Sequence, residues 1–114
     1  MTDCLFCRIV RGDAPASIVY RDEEVTAFRD IRPAGPTHIL IVPNQHITSV
    51  NEIAPEDEHL VGRLFSIARQ LAAQEGVAQS GYRILTNTGP DAGQAVFHLH
   101  FHLIGGQRMR FPMG

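Results

Sequence analysis

The segment His98-Leu99-His100-Phe101-His102-Leu103-Ile104 alternates histidine with apolar side chains without a break. Successive residues of a β-strand face opposite sides, so the pattern predicts a strand over Phe97 to Ile104. Leu99, Phe101 and Leu103 would enter a core, and His98, His100 and His102 would line the other surface. A chain built around such a strand needs a sheet with one packed face and one chemically equipped face. Half of the 6 histidines fall in this stretch, and imidazole is the side chain best suited to nucleophilic, acid/base or metal chemistry near neutral pH. An ordinary half-exposed strand surface is a poor explanation, because neighbouring imidazoles repel one another when charged. Spacing leaves two chemistries open. Two histidines at i and i+2 can share a divalent cation with a third ligand, or a neutral imidazole can attack an electrophile while its neighbours position and protonate the reacting groups.

The remaining sequence supplies the rest of an α+β domain. Leu5 to Arg11 reads as a short helix with Asp3 as its N-cap and Gly12 as its stop. Ser17 to Arg21 and Val25 to Arg29 are β-branched and aromatic runs joined by Asp22-Glu23-Glu24, which predicts a hairpin. Arg32-Pro33-Ala34-Gly35-Pro36 is a loop, and His38 to Val42 reads as a buried central strand halted by Pro43. Pro55 suits the first position of a helix, Glu56, Asp57 and Glu58 its positive end, and Gly76 its C-terminal cap. Between them Leu60, Leu64, Ile67, Ala68 and Leu71 recur at helical spacing, forming the stripe with which a long helix covers a sheet. Tyr82 to Thr86 is a further strand, joined to the histidine strand by the polar segment Asn87 to Gln94. Strand-rich order without regular βαβ alternation predicts a five-stranded antiparallel sheet with one long helix and a short N-terminal one. The 114 residues fit one domain spanning residues 1–114.

Charge and cysteine usage narrow the partners. A formal charge of −2 without any local run of Lys or Arg is the wrong electrostatics for binding DNA. Met1-Thr2-Asp3-Cys4 shows no charged region ahead of a long apolar one, and no stretch reaches the length of a membrane span, so a soluble cytoplasmic protein is expected. Cys4 and Cys7 are too few and too close for the disulfide framework of a small secreted domain. Gly89 and Gly93, in the loop before the histidine strand, predict backbone N–H groups free to approach phosphate oxygens beside His100. His38, at the head of the central strand, reads either as a partner behind the row or as a structural hydrogen-bonder.

The histidine segment, preceded by Gly93-Gln94 and followed by Gly105-Gly106, resembles the signature of the histidine triad nucleotide-binding superfamily. The resemblance continues through Ala27-Phe28-Arg29-Asp30-Ile31, Pro36-Thr37-His38-Ile39-Leu40-Ile41-Val42-Pro43 and Gly81-Tyr82-Arg83, nearly the whole chain. It is greatest to the Hint branch of purine nucleoside phosphoramidases. It implies a HIT-like fold in which His100 attacks the α-phosphorus of an adenosine phosphoramidate, forming a nucleotidyl-histidine from which water releases AMP. It also implies that Asp30 binds the ribose hydroxyls with Ile31 beside the nucleoside, and that Asn87, Gly93, Gln94 and the backbone of Ala95 contact the phosphate. His102 would hydrogen-bond the phosphate and assist proton movement to the leaving amine, while His98 and His38 hold the set in orientation. Ala95 departs from the pattern, since several relatives carry a serine there, whose hydroxyl is absent here.

Cys4-x-x-Cys7 fits half of a tetrahedral zinc site. By resemblance to some bacterial relatives the other ligands would be His46 and His98; ordinary buried cysteines explain the pair equally, and a redox pair lacks its usual βαβ context. No cofactor is expected for the chemistry itself beyond such a structural zinc. The family implies a homodimer, and a five-stranded sheet offers edges for a second copy to cover. The segment Gly105 to Gly114 resembles the Hint tail that in relatives reaches the partner's site, with Phe111 where some relatives carry tryptophan. Two other classes stay open: a dinucleotide hydrolase or nucleotidyl transferase of the same superfamily, and a zinc-stabilised nucleotide-binding scaffold with little turnover.

Overall fold

A computed structural model describes residues 4–110. Helix α1, Leu5–Arg11, is closed by Gly12 at φ 85°, whose N–H reaches the carbonyls of Arg8 and Ile9. Its N-cap is Cys4, whose Sγ accepts from the N–H of Cys7 at 3.3 Å; Asp3, expected in that role, lies outside the described residues. Strands β1 (Ile18–Arg21) and β2 (Val25–Arg29) form the expected hairpin. Asp22 fastens its turn by accepting from the N–H groups of Glu24 at 2.7 Å and Val25 at 2.8 Å. Strand β3, Thr37–Pro43, is buried throughout and keeps Pro43 as its last residue, opposite Val25.

Pro55 opens a 3₁₀ turn, Pro55–Asp57, and not the α-helix itself. Asp57 bridges the two by accepting from the N–H of Ala54 at 3.0 Å, and helix α2 follows as Glu58–Gln74. Gly76, at φ 76°, completes the cap one residue beyond Glu75. Strand β4 is Tyr82–Leu85, and Thr86, assigned to it from the sequence, turns its hydroxyl onto the carbonyl of His100 at 2.8 Å instead.

The histidine strand is shorter than the alternation predicts. Strand β5 spans only Phe101–Gly105, so His102 alone of the three histidines lies in it. Pairing with β3 stops at Ile41 opposite Phe101, and ahead of that point the backbone finds other partners. The N–H of Leu99 donates to the carbonyl of Ile47 at 2.6 Å, and the carbonyl of His98 accepts from its neighbour's imidazole. The alternation places Leu99, Phe101 and Leu103 in the core as expected, but Phe97, which would share their face on a strand, lies ahead of β5 and is 57% exposed.

The antiparallel sheet has the order β1-β2-β3-β5-β4. One face packs against α2 through Leu60, Leu64, Ile67, Ala68 and Leu71, meeting Ile39, Ile41, Leu99, Phe101 and Leu103. The other face carries a smaller cluster in which Phe6 and Ile9 of α1 cover Phe28, Leu40 and Val42. Strand β3 is thus covered on both sides, which is why its sequence is a continuous apolar run and not an alternating one. The chemically equipped face is the one under α1. The expected tail ends with Phe111 to Gly114, outside the described residues.

Candidate active site

Leu40 stands opposite His102, and His38 opposite Ile104, so the ladder between β3 and β5 brings His38 diagonally to His102 on the α1 side. Their rings meet at 2.9 Å, His38 Nε2 to His102 Nδ1. His100 lies one ring away, centroid to centroid 5.1 Å from His102, with the edge of Phe6 against it at 5.0 Å. His98 is wholly buried, and His38 and His100 are each only 7% exposed.

Backbone partners assign the ring protons. The carbonyl of His98 lies 2.7 Å from Nδ1 of His100 and can only accept. His100 therefore carries its proton on Nδ1 and a lone pair on Nε2. The carbonyl of Pro43 lies 2.8 Å from Nε2 of His98, which leaves Nδ1 of that ring unprotonated. The N–H of Ala34 donates to Nδ1 of His38 at 2.9 Å, so His38 carries its proton on Nε2. That nitrogen also lies 3.3 Å from Oδ2 of Asp30.

Burial keeps these rings neutral. Desolvation is the largest cause lowering the pKa of His38, His98 and His100. Asp30 pulls the first and last upward; the carbonyls of Pro43 and His98 do the same for His98 and His100. His102 is pushed down to about 4 by desolvation, then by His100 and His38, against the attraction of Asp30.

The histidines back onto a cavity of about 460 Å³. Asp30, Ile31, Asn87, Gly93, Gln94, Ala95, His100 and His102 all line it, which brings together every residue assigned to nucleotide binding from the sequence. His38 and His98 stand behind the lining. The sequence reading missed the apolar wall of Leu5, Phe6 and Ile9 from α1, Ala14 to Ala16, Phe28 and Leu40. The available signal was the pair Phe6 and Ile9 at helical spacing, an apolar edge needing something to cover.

The glycine loop differs from expectation. Gly89 and Gly93 adopt φ 83° and 77° as such a turn requires, but their N–H groups are spent within the loop. Gly89 donates to Oε1 of Gln94 at 2.9 Å and Gly93 to the carbonyl of Pro90 at 3.0 Å. Gln94 is the staple of this loop, its amide also donating to the carbonyls of Thr48 and Val96. The donors left on this side are the backbone N–H of Ala95 and the side-chain amide of Asn87, neither of which has a hydrogen-bond partner among the described residues.

Cys4, Cys7, His46 and His98 also converge, with their ligand atoms all within 4.8 Å of one another. Sγ of Cys4 and Nδ1 of His46 each lie 3.3 Å from Nδ1 of His98, and Sγ of Cys7 lies 3.3 Å from Nδ1 of His46. The thiols are unbridged, and burial raises the pKa of Cys7, with Cys4 adding to it. A second trio, Asp30, His38 and His102, is equally close. There the proton that Ala34 forces onto Nε2 of His38 makes a hydrogen-bonded set and not a ligand set.

Fold and site together define an α+β protein in which His100 and His102, backed by His38 and His98, line a mostly apolar cavity bordered by a glycine loop. The HIT domain model matches residues 11–109, and the chain belongs to that family. It is 49% identical over 112 residues to a purine nucleoside phosphoramidase of Escherichia coli strain K12, covering 98% of this chain and 91% of that one. Among solved structures, a HIT family hydrolase from Legionella pneumophila superposes with a TM-score of 0.96 at 44% identity, covering 98% of this chain and 100% of the other. One from Clostridium thermocellum gives 0.95 at 42% identity, covering 99% and 98%.

Proposed function

We propose that this protein hydrolyses the P–N bond of purine nucleoside 5′-phosphoramidates through a nucleotidyl-histidine on His100. One observation carries the reading: the hydrogen bond from Nδ1 of His100 to the carbonyl of His98 leaves an uncharged nucleophilic nitrogen on a ring that lines the cavity. A neutral imidazole suits attack on a phosphorus that repels anions. The apolar wall receives the base, Asp30 the ribose hydroxyls, with Ile31 beside the nucleoside. Asn87 and the N–H of Ala95 meet the phosphoryl oxygens, while Gly93 and Gln94 hold the loop in shape. His102 donates to a phosphoryl oxygen from Nε2, a preorganised donor placed where charge develops. His98 and His38 orient the two working rings. The likeness to a named phosphoramidase supports the substrate class. Rapid mixing with an adenosine phosphoramidate followed by acid quench and intact mass measurement should trap AMP on the wild type. His100→Ala should lose nearly all turnover and still bind AMP; normal turnover in that variant would refute the assignment.

Cys4, Cys7, His46 and His98 suit a structural zinc ion in tetrahedral coordination. The fit rests on Nδ1 of His98, which its bond to Pro43 keeps unprotonated and which lies within 3.5 Å of both thiols and of His46. Such an ion would tie α1 to the segment that orients His100. Metal analysis of protein purified without a histidine tag should find one zinc per chain, lost in Cys4→Ser; zinc-free wild-type protein would refute the reading.

The same reading makes residues 1–114 a single domain and the assembly a homodimer joined at a sheet edge. Among the described residues no helix is long and apolar enough to cross a membrane, and a cytoplasmic location is part of the proposal.

A further inference from the structure

We propose that the groove beside the nucleotide cavity, walled by Leu5, Thr48, Ala95, Val96 and Phe97, receives the amine side of the substrate and selects amines that carry an uncharged aromatic group. The inference rests on the reading of the neighbouring cavity as a phosphoramidase site and concerns which leaving group that site takes.

The groove has a volume of about 410 Å³, close to that of the nucleotide cavity, and Cys4 and His46 complete its lining. Leu5, Ala95 and Val96 line both hollows, so the two meet along one shared wall. Ala95 stands at that junction, and its backbone N–H is one of the donors left for a phosphoryl oxygen. A phosphorus atom held there lies at the mouth of the groove. The entering and leaving atoms of phosphoryl transfer stand roughly in line, so the amine departs on the side away from His100. His100 is buried, which makes that side the outer one, where Ala95 and Phe97 are exposed.

The walls of the groove are fastened to each other. Gln94 Nε2 donates to the carbonyl of Thr48 at 2.9 Å, and the N–H of Leu99 donates to that of Ile47 at 2.6 Å. These bonds hold the segment before β5 alongside the segment after β3, as a largely pre-formed subsite requires.

The lining points to the occupant. It includes no Asp, Glu, Lys or Arg, so neither a carboxylate nor an ammonium group on the amine would meet an opposite charge. Six large apolar side chains are exposed among the described residues, and three of them, Leu5, Ile31 and Phe97, surround this double hollow. Scattered apolar side chains need no explanation, whereas several gathered at one opening mark a binding surface. The nucleoside accounts for Ile31, which lines the nucleotide cavity alone. Phe97 lines only the groove, and nothing in nucleotide binding explains its exposure. It is free to face outward because β5 begins only at Phe101. An aromatic amine suits it best, since offset or edge-on ring pairs attract beyond the area they bury.

Two measurements test this, using the adenosine phosphoramidates of 3-phenylpropylamine and propylamine, which differ by one ring. In wild-type protein kcat/KM should favour the phenylpropyl substrate by about tenfold, the scale of one apolar group entering a pocket. Phe97→Ser exchanges an exposed side chain and leaves the core intact; it should cut the preference to about twofold or less, and Phe97→Leu should restore part of it, as expected when burial is lost and partly regained. Calorimetry is the second measurement and should show that Phe97→Ser binds AMP as the wild type does. Absence of the preference in wild type, or a preference undiminished in Phe97→Ser, would overturn the proposal and place the amine elsewhere. An equal loss of AMP affinity in that variant would overturn it too, as the mark of a distorted nucleotide site. The AMP adduct on His100 is scored separately with the propyl substrate: its absence alongside the expected preferences would sink the nucleophile reading and spare this one.

Discussion

At His102 the neighbours set the protonation state, and that state governs how the fold responds to acid. The folded ring titrates at about 4, against about 6.5 for the unfolded chain. Above the higher value both states are neutral and nothing is at stake. As pH falls through it, the unfolded chain binds a proton that the folded ring refuses, so stability drops until both are charged near pH 4. His38, His98 and His100 are lowered too and add to the loss with the same sign. The melting temperature should therefore decline from pH 7 to pH 4.5, and less steeply in His102→Gln; an equal decline in the variant would assign the effect elsewhere. Gly93 is a second test at this scale. A Cβ there meets nothing within 4 Å, but the backbone holds φ 77°, so Gly93→Ala should cost about 1 kcal/mol through strain alone and weaken AMP binding measured by calorimetry. The residue types at both places were legible in the sequence. What acts on them was not, because the N–H of Ala34 and the carbonyls of Pro43 and His98 are backbone groups aimed by the fold. Gly89 and Gly93 are read no better, because their N–H groups are taken by Oε1 of Gln94 and the carbonyl of Pro90, partners that only the folded loop brings to them.

Helix α1 is too short to be stable alone, and its two faces explain why it forms. Cys4 and Cys7 turn toward His46 and His98, while Phe6 and Ile9 pack on Phe28, Leu40 and Val42 and wall the cavity. Phe6→Ala should destabilise by about 3 kcal/mol, at the low end for a buried aromatic because the cluster is small. It should also weaken AMP affinity, since its ring stands edge-on to His100. Denaturant unfolding and AMP titration of the same sample separate the two effects, and unchanged affinity would remove α1 from the binding wall. The stop of α1 was readable at Gly12, but which face of the sheet it covers was not, because a seven-residue amphipathic segment fits either. Helix α2 was more legible: its five-residue stripe repeats long enough to define a face. In β5 the alternation reported correctly which side chains meet the core. It could not report that the ladder begins only at Phe101, because side-chain direction and backbone pairing are separate properties.

For the molecule as a whole the sequence supplied the five strands but not their order. Strand β5 inserts between β3 and β4, and this places His102 beside His38 and leaves β1 and β4 as edges. The two edges are unequal. Pairing between β1 and β2 slips between Ile18 and Tyr20, and such an irregularity twists an edge away from further pairing. Strand β4 runs in unbroken register from Tyr82 to Leu85, so it is the edge able to accept a second copy. At 12.6 kDa per chain, the proposed dimer should scatter light as a particle of about 25 kDa at micromolar concentration, twice the chain mass, in keeping with the twofold symmetry common among oligomers. Dilution should then speed amide exchange in β4 more than in β1, because only the covered edge loses its partner. A particle of the single-chain mass would refute the dimer. A dimer whose β1 amides respond instead would move the interface to the hairpin edge and away from the strand beside His102.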